Sequence, residues 1–155
     1  MKIHTFAILM CSLCFVSSSF AQNRWEDLAG EYFLDSAIVK GLRNVVFFSL
    51  EPSDHWKYLD TSRSGVHFFP SDSVRHHNTI ECPMVSICVE NDSIYFSTSY
   101  CGEERFTFAG RFTRPANQFQ HHYYERVLEG VLSYFRRGFP AKCAKVSFRY
   151  KDFSD

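Results

Sequence analysis

Between Leu28 and Tyr150 apolar and polar residues alternate with a period of two over most of the chain. This is the pattern of β-strands that bury one face. Leu28 to Leu34, Val45 to Leu50, Trp56 to Leu59, Val66 to Phe69, Met84 to Glu90, Ser93 to Cys101 and Arg105 to Thr113 read as strands. Val45 to Leu50 is apolar on both faces, as expected of a buried strand. In Arg105 to Thr113 the side chains of Phe106, Phe108 and Phe112 share one face. Gly110 falls in that same apolar register, where a bulge or a close neighbour would suit a missing side chain. Pro70 to Asn78 reads as a polar loop.

One segment has a different period. Tyr123, Tyr124, Val127, Leu128, Val131, Leu132 and Phe135 follow the three–four spacing of an amphipathic helix. Asn117 would cap it, with Gln120 placed for a capping box. Gly138 and Pro140 would stop it, and Arg136-Arg137 would sit at its C-terminal dipole. A last strand follows, in which Ala144, Val146, Phe148 and Tyr150 alternate with Cys143, Lys145, Ser147 and Arg149. The expected fold is therefore mainly β: an antiparallel meander or small barrel of about seven to eight strands, with one C-terminal amphipathic helix packed on it.

The N-terminus changes the meaning of the cysteines. Lys2, the apolar run Phe6 to Val16 and the small-x-small triplet Ser19-Phe20-Ala21 form a secretory signal pattern. Residues 1–21 are expected to be removed, leaving 22–155 as one domain in the periplasm or outside the cell. The run is too short for a spanning helix of about 20 residues. Cys11 and Cys14 lack the small preceding residues of a lipid-attachment site. In an oxidising compartment the four remaining cysteines read as two disulfides.

Register suggests which ones pair. A tight turn at Asn91-Asp92 sets Glu90 opposite Ser93, Val89 opposite Ile94, Ile87 opposite Phe96 and Cys82 opposite Cys101. A Cys82–Cys101 bridge is expected, with Cys88–Cys143 by elimination. The rival pairing, Cys82–Cys143 with Cys88–Cys101, requires a slip that would turn side chains to the wrong face.

Charge excludes some partners. Seventeen Lys and Arg balance seventeen Asp and Glu, and no clustered basic surface for nucleic acid or for anionic lipid is apparent. His76-His77 and His121-His122, with Asp72 or Glu125, could in principle hold a metal. Adjacent histidines on a strand or loop point apart, however, and no ligand spacing is present, so they read as surface residues and no metal or cofactor is expected. The spacing of Cys82, Cys88 and Cys101 lacks the C-x2-C knuckle of structural zinc sites. No Gly-x-Ser-x-Gly elbow occurs. Glu103, Glu104 and Arg105 with His67 or His121 supply the residue types of a secreted nuclease, yet no motif binds them together, and no catalytic residue is assigned. Asn91-Asp92-Ser93 matches a glycosylation sequon, but its place in a hairpin turn accounts for it.

Trp25 to Tyr32 resembles the first strand of lipocalin-like barrels, which opens with a Gly-x-Trp element. Here Gly30-x-Tyr32 stands in that place, with Tyr where Trp is usual. The order of antiparallel strands, one helix and a short final strand is similar as well. The resemblance implies a barrel that holds a small apolar ligand. Its lining would be the aromatic residues Tyr32, Phe47, Phe106, Phe108 and Phe112, if they surround a cavity. The expected function is that of an exported, non-enzymatic binding protein with such a ligand in a barrel or cleft. An exported protein-interaction module, such as an inhibitor or immunity-type factor, is the alternative, and a small secreted hydrolase the second. What the aromatics face decides between the first two. If they pack solidly, the interaction reading gains, and an exposed aromatic loop such as Val66 to Pro70 becomes the place to look.

Overall fold

A computed structural model describes residues 25–36, 42, 45–54, 58–69, 79–121 and 125–153. A single helical turn, α1 (Trp25–Leu28), leads into eight strands. These are β1 (Gly30–Ser36), β2 (Val45–Leu50), β3 (Gly65–Phe68), β4 (Ile80–Glu90), β5 (Ser93–Thr98), β6 (Glu104–Phe112), β7 (Arg126–Arg136) and β8 (Lys142–Lys151). Each pairs antiparallel with its neighbour in sequence, and β8 pairs with β1, closing the barrel. Closure removes the unpaired strand edges that an open meander would expose.

The alternation has its expected consequence. Tyr32, Phe48, Val66, Phe68, Met84, Ile94, Phe96, Phe106, Phe108, Phe112, Leu128, Leu132, Phe148 and Tyr150 are buried in one apolar core. The positions between them turn outward and are largely polar, among them Glu31, His67, Ser97, Thr107, Arg111, Glu129, Lys145 and Arg149. This is the inverse of a lipid-spanning barrel, whose outer band is apolar. Among the described residues no helix is long and apolar enough to cross a membrane.

The amphipathic helix expected around residues 123–135 is not formed. Arg126–Arg136 is strand β7, and the short helix before it is a 3-10 helix at Ala116–His121. Leu128, Gly130, Leu132 and Tyr134 occupy successive inward positions of β7 (Gly130 directly opposite Gly110 of β6). A glycine in that series hides the period of two, and Val127, buried at the bulge before Leu128, together with Val131 and Phe135 on the other face supplies a helix-like spacing. Of the expected strand at Trp56 to Leu59, Leu59 makes one isolated bridge to Pro52, and residues 55–57 lie outside the described residues, as do 1–24 and 70–78.

Both glycines are explained by one side chain. An ideal Cβ on Gly110 would lie 2.2 Å from Cζ of Phe108, and one on Gly130 would lie 2.6 Å from it. The Phe108 ring thus folds onto its own strand and the next, covering bare backbone, an aromatic rescue of paired glycines. A Cβ at Gly130 would also lie 2.3 Å from the Ala109 carbonyl oxygen and 2.5 Å from Gly110 Cα. Those are backbone atoms and cannot yield cheaply.

The seam is locked by charge. Asp35 lies at the bulge where the β1–β8 register shifts, and its side chain is only 5% exposed. Its carboxylate accepts hydrogen bonds from Arg126 Nε at 2.7 Å and from Arg149 Nη2. One carboxylate therefore ties β1, β7 and β8. Burial pushes its pKa up, but the two guanidiniums outweigh burial and hold the carboxyl below its ordinary value.

Two outcomes are expected. Gly130→Ala should destabilise the protein by about 1–3 kcal/mol in urea unfolding through overpacking, whereas in an exposed helix it would stabilise by about 1 kcal/mol; the sign alone separates strand from helix. Asp35 is depressed in the folded state, so its contribution is present above the unfolded carboxylate pKa and is lost as pH falls through the folded one. Unfolding free energies of wild type and Asp35→Asn should therefore differ at pH 7 and converge in acid, and a gap that stays constant down to pH 2 would refute the assignment.

Candidate functional site

The aromatic residues expected to line a ligand cavity are divided by the structure. Tyr32, Phe106, Phe108 and Phe112 point into the barrel and are buried. Phe47 points outward, half-buried, and stacks on His67 of β3 at 4.1 Å between ring centroids. The bulge between Val45 and Phe47 in the β2–β3 pairing is the reason: it places Val45 and Phe48 inside and leaves Phe47 on the outer wall.

Inside, the rings meet each other. Phe48 of β2 lies 4.9 Å from Phe96 of β5 and 4.9 Å from Phe148 of β8, and Phe108 of β6 lies 5.4 Å from both Phe96 and Phe148. Rings from four strands spaced around the wall thus touch across the middle. Tyr32 stacks on Phe48 at 4.7 Å and extends the column to Tyr150, Phe112 and Phe119. Phe119 projects from the 3-10 helix and is fully buried, closing this end with α1. The two buried tyrosine hydroxyls donate to carbonyls at that end: Tyr32 to Leu28 at 2.8 Å and Tyr150 to Ala29 at 2.5 Å. At the other end Phe68, Phe106 and Tyr134 continue the packing. An eight-stranded barrel has an interior just wide enough for side chains to fill, and here rings fill it.

Two depressions, of about 520 and 340 Å³, lie on the outer wall. The first is lined by Arg111, Glu129, Val131 and Lys145, the second by Cys88, Tyr95, Thr107 and Ala109. Both are open to solvent and shallow.

Val66 to Pro70 is not an exposed aromatic loop. Val66 and Phe68 are core residues of β3, and Pro70 lies outside the described residues. Exposed aromatics stand at both ends, Tyr58 and Phe153 at one and Tyr100 and Phe139 at the end formed by the β5–β6 and β7–β8 turns, where among the described residues they lie against guanidiniums. Tyr100 is 44% exposed and Phe139 62% exposed. Each turn is built by a glycine with positive φ, Gly102 at 64° and Gly138 at 79°. Cys101 and Glu104 bond reciprocally across Gly102-Glu103, a two-residue hairpin turn with glycine at its first central position. Phe139 N–H donates to Arg136 C=O, closing a turn around Arg137-Gly138. Arg137 N–H donates to Glu103 C=O and holds the two turns side by side.

This juxtaposition lays guanidiniums over rings. Arg137 lies 4.9 Å from the Tyr100 ring centre, Arg136 lies 5.2 Å from Phe139, and Arg105 lies 5.9 Å from Phe135. Cation–π contact at exposed sites contributes about 0.5–1 kcal/mol each. Below them Tyr134 donates to Glu104 at 2.8 Å, and burial followed by that bond raises the phenol pKa to about 12. The opposite end of the barrel has another character: Glu51, Asp54, Asp60, Asp92 and Glu125 stand in its loops.

The disulfide anchors this rim. Cys82 and Cys101 are bonded, with Cα atoms 5.6 Å apart. The hairpin register runs as expected from Glu90↔Ser93 to Ser86↔Ser97, then a bulge shifts it by one residue before Met84↔Thr98. The bridge forms all the same, because Cys101 lies beyond the end of β5, where the chain curls back. It fixes the base of the loop that presents Tyr100.

The second expected bridge is absent. Cys88 and Cys143 are free and exposed. Cys88 faces outward on β4 and Cys143 on β8, with β5, β6 and β7 between them. Four strand spacings set them about 19 Å apart along the wall, far beyond the reach of a disulfide. Elimination failed because parity says which face a residue takes but not which side of a closed barrel.

The residues considered for a nuclease serve other neighbours. Glu104 pairs with Tyr134, Glu103 with Arg136, Arg105 with Phe135, and His67 with Phe47 and Ser49. His67 Nε2 lies 3.4 Å from Ser49 Oγ, and burial lowers its pKa against the pull of Glu81, Glu31 and Glu51. Among the described residues no group of His, Cys, Asp and Glu is arranged to hold a metal; residues 72, 76, 77 and 122 lie outside them. In sequence Arg136-Arg137 and Gly138 match a helix end, which conceals the rim. Glycine followed by an exposed phenylalanine after two arginines was the available signal.

Comparison with protein-family models, with curated proteins and with solved structures finds no match.

Native thiol titration should count Cys88 and Cys143 but not Cys82 and Cys101. Cys82→Ser and Cys101→Ser should each destabilise by about 2–4 kcal/mol and to the same degree in chemical unfolding, while Cys88→Ser and Cys143→Ser change stability by less than about 0.5 kcal/mol. Unequal losses from the first two would count against the bridge.

Proposed function

We propose that the protein is an exported, non-enzymatic interaction module that binds another protein through the arginine–aromatic rim. The observation that carries this reading is the contrast between inside and outside. Phe48, Phe96, Phe108 and Phe148 meet across the barrel centre, where a small apolar ligand would need to sit. At the rim, by contrast, Tyr100 and Phe139 stand in solvent beside Arg136 and Arg137. Tyr, Phe and Arg are the residues enriched at the energetic centres of protein interfaces. The rim also rests on a rigid base of disulfide and paired turns, which lowers the ordering cost of binding. The signal pattern at residues 1–21 and the Cys82–Cys101 bridge suit secretion or the periplasm.

The test is native mass spectrometry, with cross-linking, on protein isolated from the organism that makes it. The expected result is a chain about two mass units below its reduced form, since one bridge removes two thiol hydrogens. It should carry a bound protein that is lost in the double variant Tyr100→Ala, Phe139→Ala. A stoichiometric small apolar molecule released only on unfolding would overturn the reading, as would a cross-linking pattern indifferent to both substitutions.

A further inference from the structure

We infer that the rim's partner is an acidic polypeptide segment, whose carboxylates dock on Arg105 and Arg137 beside an apolar contact for Phe139. The inference rests on the interaction-module reading and adds the chemistry of the partner.

The argument comes from how the arginines are spent across the molecule. Toward the acidic end and along the seam each described arginine has a carboxylate: Arg63 has Glu51 and Asp54, Arg111 has Asp92, Arg114 has Glu125, and Arg126 and Arg149 share Asp35. The rim departs from this. Arg136 reaches Glu103 only at 3.5 Å. Among the described residues Arg105 and Arg137 have no carboxylate partner and lie over rings instead. Arg105 Nε is buried and lacks a hydrogen-bond partner. A guanidinium held by a ring has its orientation fixed in advance while keeping donors for a planar acceptor, and carboxylates match that fork in pairs.

Rival occupants fit less well. An anionic bilayer is recognised by clusters of about 4–8 basic residues on one face, whereas here Arg136 is paired with Glu103 and only Arg105 and Arg137 lie over rings without a carboxylate among the described residues. A flat anionic surface cannot avoid Glu103 and Glu104, as a single segment that seats on two guanidiniums can. A second copy of the chain would have to offer its acidic end, but there Glu51, Asp54, Asp92 and Glu125 are engaged by arginines and Asp60 by Ser62. A separate polypeptide with free carboxylates and an apolar side chain for Phe139 satisfies the charge and the ring together.

The experiment uses the oxidised mature protein and three probes: a fluorescent peptide of Glu and Leu, its Gln-for-Glu counterpart, and phosphatidylglycerol–phosphatidylcholine vesicles. Anisotropy should report binding of the Glu peptide that weakens with added salt, with little binding of the Gln peptide. Arg137→Ala, on an exposed turn, should weaken binding about tenfold, the usual scale for a charge-assisted pair, while the melting temperature falls by no more than the few degrees that its contact with Tyr100 accounts for. Arg137→Lys should recover only part of the loss, and Arg111→Ala at the other end should change nothing. Arg105→Ala is read only if its melting curve stays native; otherwise Arg137→Ala decides alone. Equal affinity for both peptides, affinity indifferent to Arg137, binding to vesicles but not to the peptide, self-association that displaces the peptide, or no binding at all would each overturn the proposal. If the peptide fails while the native complex still depends on Tyr100 and Phe139, only the partner's chemistry falls. A small ligand inside the barrel would remove the interaction reading as well.

Discussion

The Phe108 ring lying over Gly110 and Gly130 is the contact on which the rest of the structure depends. An eight-stranded barrel leaves little space inside, and this chain fills it with rings. Two facing glycines let one of those rings lie flat against the wall, which makes room for Phe48, Phe96 and Phe148 to meet it from other strands. Restoring a side chain at either glycine would drive it into backbone or into that ring. Packing of this kind tolerates small errors poorly, because a filled interior transmits any added volume to its neighbours. It also decides where function can reside. A core closed by its own aromatics leaves the outer wall and the two ends to do the work.

The sequence was most readable where local chemistry and tertiary structure agree. Asn91-Asp92 between alternating runs placed the β4–β5 turn and its register, and with them the Cys82–Cys101 bridge. Gly110 has the close neighbour that a glycine in an apolar register implies. The final strand followed from its alternation. Reading failed where one residue served two patterns. Gly130 is an inward position without a side chain, so β7 lost its apolar beat and a helix seemed to fit. Tertiary closure, which pairs β1 with β8 across more than a hundred residues, left no local mark, and the Cys88–Cys143 pairing failed for that reason.

The rim was illegible for a related cause. Tyr100, Arg137 and Phe139 are distant or unremarkable in sequence and meet because two glycine turns and one disulfide bring neighbouring hairpins together. Each device is local, but their alignment depends on the register of β6 against β7, where Arg105 faces Phe135 and Glu104 faces Arg136. Residue types alone could not separate this from a solvated pair of arginines at a helix end. The same limit applied to the aromatics expected to line a cavity: a bulge in the β2–β3 pairing turned Phe47 outward while its neighbour Phe48 became the centre of the core.

The uneven division of charge along the barrel axis has a consequence for encounter in solution. With arginine in excess of carboxylate at one mouth and carboxylate in excess of arginine at the other, a molecule close to neutral overall still carries a dipole. It would turn in the field of an approaching acidic body before the surfaces touch, presenting the cationic mouth first. Such alignment speeds capture far more than it tightens the final grip, so the association rate would fade with ionic strength while the lifetime of the complex changed little.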